Sequence, residues 1–181
     1  MLWEPTFREK GLQMGRSKTS MTPQETQAYL EEGGAYTVAT NGHDGWPHAV
    51  AMFCVIDPGH VVRFATYAKS QKVKNLESDP RVTVMRETGD AYEELKGVMI
   101  RGKAELIYDL DATIDTLIDA LKASDAGDNL PADAKDNDAI RSVMTDRARK
   151  RVLVRVTPER VSSWDHTKMA AGSPNPGRPA G

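Results

Sequence analysis

At 181 residues the chain is long enough for one domain with short appendages. Its 39% hydrophobic and 28% charged residues are ordinary for a soluble globular protein, and a formal charge of -2 gives no bulk attraction to nucleic acid or to an anionic membrane. The single cysteine, Cys54, excludes an internal disulfide framework and a cysteine-cluster metal site; no apolar run approaches the ~20 residues that span a bilayer, and MLWEPTFREKG lacks the basic start and apolar stretch of a secretion signal, so a cytoplasmic protein is expected.

Residues 1–20 are mixed and polar, with Trp3 and Phe7 as anchors for a short docked helix or a loose arm. Thr22-Pro23-Gln24-Glu25 is a helix start: Thr22 caps, Pro23 suits the first helical position, and Glu25 completes a capping box. Gly33-Gly34 stop that helix. Ala35 to Ala51 reads as a hairpin, with Asn41-Gly42 and Asp44-Gly45 supplying turn chemistry between β-rich runs, and the return strand extends from Trp46 to Ile56. Asp57-Pro58-Gly59 turns into a third strand, Val61 to Tyr67. A short helix from Ser70 to Ser78 follows, closed by Asp79-Pro80, and then strands at Arg81 to Arg86 and Gly97 to Tyr108. From Asp109 to Ser124 the period becomes helical, with Leu110, Ile114, Leu117, Ile118 and Leu121 on one stripe. A polar loop, a weaker helix over Asp138 to Arg149 and a last strand from Arg151 towards Ser163 complete the order. The tail AAGSPNPGRPAG reads as disordered.

Strands joined by tight turns are antiparallel, and six of them with few covering helices predict a closed or nearly closed barrel. The fold expected is mainly β with helices (α+β), a six-stranded antiparallel split barrel with a helical insertion before the last strand. The domain would span residues 21–168, with an arm at 1–20 and a disordered tail at 169–181. No GxGxxG loop or βαβ alternation is present.

The stretch RFATYAKSQKVKNLESDPRVTV carries the chemistry. Its strand ends at Thr66-Tyr67 and its helix starts near Ser70, and a helix start exposes unpaired N–H groups and a positive dipole end that favour a phosphate. Ser70 adds a hydroxyl, Gln71 an amide, and Lys69, Lys72 and Lys74 add charge. Read locally, the same residues also fit a serine N-cap on a surface helix with solvated lysines. His48, beside Pro47, fits either a partly exposed filler or a donor to a ring carbonyl. Trp164 in WDHTK packs on the barrel rim or crosses to a partner subunit, with Lys168 near a negative group. Asp165 and His166 have no second ligand pair, so no metal site is assigned. Arg63, Arg81, Arg86 and Arg101 fall on strands, where ion pairs or solvent are their usual partners. Tyr92-Glu93-Glu94 reads as an exposed connection, because neighbouring carboxylates on a strand point to opposite faces. Cys54 reads as inert core.

The succession TVAT, a glycine turn, PHAVAM, FATYA and SQKVKNLESDPRVTV, continued by YEELKGVMIRGKAELI and VRVTPERVSSWDHTKM, resembles the FMN-binding split-barrel superfamily of pyridoxamine 5'-phosphate oxidase-like proteins. More narrowly it resembles the actinobacterial flavin/deazaflavin oxidoreductases, many of which use coenzyme F420. The likeness runs from about Met21 to Lys168. It implies a homodimer with cofactor grooves at the interface. It also assigns His48, Ala49, Val50 and Ala51, with Met52 nearby, to the strand beside the ring. Ala65, Thr66, Tyr67, Ala68 and Lys69 would line the ring and ribityl chain, and Ser70, Gln71 and Lys72 would take the phosphate.

A cofactor does the difficult part of hydride transfer, which accounts for the missing acid–base triad. FMN and coenzyme F420 share the ribityl chain and first phosphate, while F420 adds an anionic lactyl-oligoglutamate tail that Lys69, Lys72, Lys74 and Arg16-Ser17-Lys18 can meet. Authentic pyridoxamine-phosphate oxidases hold substrate with an arginine-x-histidine pair near the C-terminus, and SSWDHTK has no arginine there. The expectation is therefore an F420H2-dependent reductase of a small unsaturated or conjugated molecule, with an FMN enzyme or a non-catalytic flavin or haem binder as alternatives.

Overall fold

The computed structural model describes residues 18–124 and 130–170. The bulk of the expected N-terminal arm, the Arg16-Ser17 part of its basic segment, and the tail beyond Ala170 lie outside the described residues. Of the tail expected from residue 169, Met169 and Ala170 close a short helix, Thr167–Ala170.

Helix α1, Pro23–Glu31, begins as its sequence dictates: the Thr22 hydroxyl accepts from the Glu25 N–H at 3.2 Å, and the Glu25 carboxylate accepts from the Thr22 N–H at 2.7 Å. The same carboxylate takes a 2.7 Å bond from Lys168 Nζ, and this hydrogen bond, with the Thr22 N–H, holds Glu25 down from 4.5 to about 2. A carboxylate held low in the native state contributes stability that is complete above about 4.5 and fades as pH falls towards 2. Thr22→Ala is expected to cost about 1 kcal/mol. In thermal melts, Lys168→Met should reduce the loss of stability between pH 4.5 and about 2; melting profiles that run parallel for the two proteins would refute this.

The strands are β1 (Ala35–Asn41), β2 (Pro47–Phe53), β3 (Val55–Asp57), β4 (Val61–Tyr67), β5 (Arg81–Thr88), β6 (Lys96–Ile107) and β7 (Arg151–Asp165). They form one curled antiparallel sheet of seven, in the order β2-β1-β5-β6-β7-β4-β3. The expected count of six is thus corrected. The single return strand predicted from Trp46 to Ile56 is broken at Cys54, and its halves lie at opposite edges of the sheet: β2 pairs with β1 from Pro47 to Phe53, and β3 pairs with β4 from Val55 to Asp57. One continuous segment therefore closes the barrel by switching partners. The cause is geometric, because strand tilt and twist carry a long strand away from one neighbour and onto another.

Inward-facing residues alternate along each strand and meet in the barrel core, among them Tyr36, Val38, Phe64, Val84, Ile100 and Val154. Helix α1 adds Tyr29 and Leu30 to this core. Helix α2, Gln71–Ser78, adds Leu76. The insertion before β7 is helical as expected: α3 (Leu110–Lys122), capped by Asp109, and α4 (Asp138–Ala148), capped by Asn137. Ile114, Ile118, Met144 and Ala148 bury a second small core between them, while Leu110, expected on the same stripe, is exposed at the first position of α3. No helix among the described residues is long and apolar enough to cross a membrane.

Candidate cofactor site

The β3–β4 ladder ends at the pair Val55 and Arg63, and no ladder joins β2 to the rest of β4. Here the barrel is split. The residues that the sequence reading assigned to the ring and phosphate fall on the segments next to this break, His48 to Ala51 on β2 and Ala65 to Tyr67 on β4, followed by the turn Ala68 to Ser70 and the start of α2.

The pleat sorts these residues by role. Ala49 and Ala51 are exposed on the outer face of β2, whereas His48 and Val50 are half-buried. On β4, Thr66 is buried in the barrel, and Ala65 and Tyr67 face outward. Arg151 lays its guanidinium over the Tyr67 ring, 4.3 Å from the centroid. The Ala68 N–H donates to the Lys150 carbonyl at 3.0 Å, which sets the basic turn before β7 beside the turn before α2.

Helix α2 seals the barrel end with a polar network that sequence reading missed. Lys72 Nζ donates to Thr66 Oγ1 at 3.0 Å, Asn75 Nδ2 to Thr40 Oγ1 at 3.0 Å, and Gln71 Nε2 to Asn75 Oδ1 at 2.8 Å. The signal available was the Gln71/Asn75 pair at i,i+4 spacing on a short helix. Lys72 is 8% exposed, not the solvated lysine its sequence context suggests, and no carboxylate pairs with it among the described residues. Burial pushes its ammonium below the ordinary lysine range. Lys69 and Lys74 stay exposed.

Ser70 sits at the N-cap of α2 in extended conformation (φ -71°, ψ 155°), yet its hydroxyl makes no capping bond. Its carbonyl accepts from the Val73 and Lys74 N–H groups, while its Oγ is buried and without a partner. His48 Nδ1 is likewise buried and unpartnered. His48 and Gln71 line a cavity of about 410 Å³ with His43 and Trp46. Buried polar atoms are almost always paired; among the described residues four side-chain atoms are not, Thr26 Oγ1, His60 Nε2 and these two, which lie on segments next to the break in the barrel. The hydroxyl, the free N–H groups at the start of α2 and the uncompensated ammonium make a donor set suited to a phosphate.

The remaining predicted residues lie elsewhere in the chain. Trp164 is at the far end of β7 from Arg151, roughly 40 Å of extended strand away. Its ring rests on Gly97 of β6, where an added Cβ would come within 2.3 Å of it. Lys168 donates to Glu25 and to the Ser20 carbonyl. Within one chain, neither joins the slot. Arg63, Arg81 and Arg86 are occupied by Asp57 and Asp119, by Asp79, and by the Tyr29 carbonyl and Glu32; Arg101 is exposed. Tyr92–Glu94 forms an exposed 3-10 turn, and Cys54 is buried, with its thiol pushed up by desolvation.

A split antiparallel barrel with donors gathered at a strand-to-helix turn is the class of fold that sequence comparison also identifies. The profile described as pyridoxamine 5'-phosphate oxidase matches residues 22–165, and the chain belongs to this family. Among solved structures it is similar to the conserved hypothetical protein Rv2991 from Mycobacterium tuberculosis, at 31% identity over 91% of this chain and 97% of that one, with a TM-score of 0.76. It is similar to an F420 reductase at 26% identity over 78% of this chain and 98% of that one, TM-score 0.55. The FAD binding protein from Mycobacterium smegmatis, at 20% identity over 79% of this chain and 95% of that one, shares the fold with a TM-score of 0.51. No curated protein matches the sequence significantly.

Proposed function

We propose that the chain is an F420H2-dependent oxidoreductase that holds the cofactor in the slot between β2 and β4. The observation that carries this is the Ser70 hydroxyl, which is in position to cap α2 but is instead left buried and unpartnered. Ser70, Gln71 and Lys72 would take the first phosphate, Ala65 to Lys69 would line the ribityl chain and ring edge, and the backbone of His48 to Ala51 would run beside the ring. When bound, the deazaflavin supplies the hydride. The chain's own contributions are anchoring, orientation and a dry wall, and His48 Nδ1 offers a hydrogen bond whose sense depends on its tautomer.

Two features favour F420 over FMN. The F420 reductase is similar over most of the chain. The Ala68–Lys150 hydrogen bond also brings the exposed Lys150 beside the turn that carries Lys69, a basic rim that fits an anionic tail longer than FMN possesses. FMN carries the same phosphate and is the second reading. The outer sheet face, where Ala49, Ala51 and Phe53 stand exposed, supports a homodimer with the cofactor between copies. In that arrangement Trp164 and Lys168 would reach the partner's slot. Titration with F420 and with FMN, followed by fluorescence, is expected to give micromolar or tighter F420 binding. Ser70→Ala should weaken both cofactors about tenfold, for one lost charge-assisted hydrogen bond, without lowering thermal stability. Absence of F420 binding would overturn the proposal.

A further inference from the structure

At the Cys54 end of the slot, the barrel and the helical insertion form a second, open cleft of about 350 Å³. Phe53 and Ala65 come from the strands, Leu117 and Leu121 from α3, and Met144 and Arg147 from α4, with Arg151 at the start of β7. Phe53 lies two residues beyond Ala51 on the outer face of β2, and Ala65 two before Tyr67 on β4, so the cavity continues the cofactor slot. Its walls are apolar and its charge is one-sided. Arg147 and Arg151 pair with no carboxylate among the described residues, because the acids of α3 are engaged elsewhere: Asp111 and Asp115 with Arg141, and Asp119 with Arg63 and Lys135. Arg151 is held in place by Tyr67 beneath it and by its bond to the Arg147 carbonyl. A cavity of this size with apolar walls and a few fixed polar groups is the usual form of a small-molecule site.

We infer that this cavity is the substrate site and selects a small molecule with an apolar, ring-sized body and one anionic group, the body against Phe53, Leu117 and Leu121 and the anion on Arg147 and Arg151. The word substrate rests on the cofactor reading above; the binding itself does not. The helical insertion is then the specificity wall of the barrel.

The test uses the full chain without cofactor and two fluorescent probes. One is 8-anilinonaphthalene-1-sulfonate, which has an apolar body and one anion. The other is its neutral relative, N-phenyl-1-naphthylamine. Arg147→Ala combined with Arg151→Ala should weaken the sulfonate about tenfold or more and leave the neutral dye unchanged, while Ala120→Phe, which fills the cavity, should weaken both. Saturating F420 or FMN should leave the sulfonate bound. Equal sulfonate affinity in wild type and double variant, or displacement by either cofactor, would overturn the inference. If the cofactors fail to bind while the dyes behave as stated, the cofactor reading fails and this site stands as a binding site for such anions.

Discussion

Lys72→Met is expected to weaken F420 and FMN by roughly 10- to 100-fold while leaving the melting temperature of the cofactor-free protein unchanged or slightly raised. The two halves of this result have one cause. The ammonium is buried against Thr66 with no carboxylate paired to it among the described residues, so the cofactor-free fold bears a desolvation cost that methionine removes, offset in part by the hydrogen bond that Thr66 loses. A bound phosphate supplies the missing countercharge. The pH dependence follows in sign. Because burial lowers the native value below the ordinary 10.5, the native state releases its proton first as pH rises, and the cost of burial fades between the two values. Stability of the cofactor-free wild type should therefore climb relative to Lys72→Met in that alkaline window, while its affinity for phosphate cofactors falls there. Melting curves and cofactor titrations over the same pH series measure both. A large loss of stability in Lys72→Met at neutral pH would make the lysine a structural residue, and unchanged cofactor affinity would remove it from the phosphate site.

Gly102→Ala should be the more damaging change for folding, costing about 3 kcal/mol or more, which corresponds to a fall in melting temperature of roughly 10 °C. Gly102 sits at the register shift between β6 and β7, where an added Cβ would lie 2.1 Å from the Thr157 carbonyl oxygen. That neighbour is backbone in the longest ladder of the sheet and has no rotamer by which to yield. Gly97→Ala offers the comparison. Its Cβ would meet the Trp164 ring, which can rotate away, so a smaller stability loss and a shifted tryptophan emission are expected. Urea unfolding of both variants, with fluorescence of the native state, separates the two cases. Similar losses in both would remove the distinction between a rigid and a yielding neighbour.

Local signals were legible in the sequence where the chemistry is local. Thr22-Pro23 with Glu25 specifies α1 by side chains that reach only three residues, and Val61 to Tyr67 is bounded by turn residues on both sides. The strand-to-helix turn at Ser70 was legible for the same reason. What stayed hidden depends on residues distant in sequence. No turn residue marks Cys54, and an apolar run that changes its pairing partner from β1 to β4 has the same pattern as one that does not. Lys72 reads as solvated because its neighbours Lys69 and Lys74 are; it is buried only because α2 lies across the barrel mouth. Leu110 belongs to the α3 stripe by period but falls beyond the surface that the stripe covers. The cleft at Phe53 needs four separate segments to exist, and none carries a motif for it.

The break at Cys54 also bears on how the molecule avoids its own kind. Sheets with two free margins invite other chains to add strands to them. Here both margins are drawn from one stretch of backbone, β2 running into β3 through Cys54, so the free side of each is short. On the proposed function, the opening for the cofactor and the shortness of the free edges are thus set by the same single-residue joint. An extra residue inserted beside Cys54 would slacken both together, yielding a protein that loses its ligand and becomes prone to association at once.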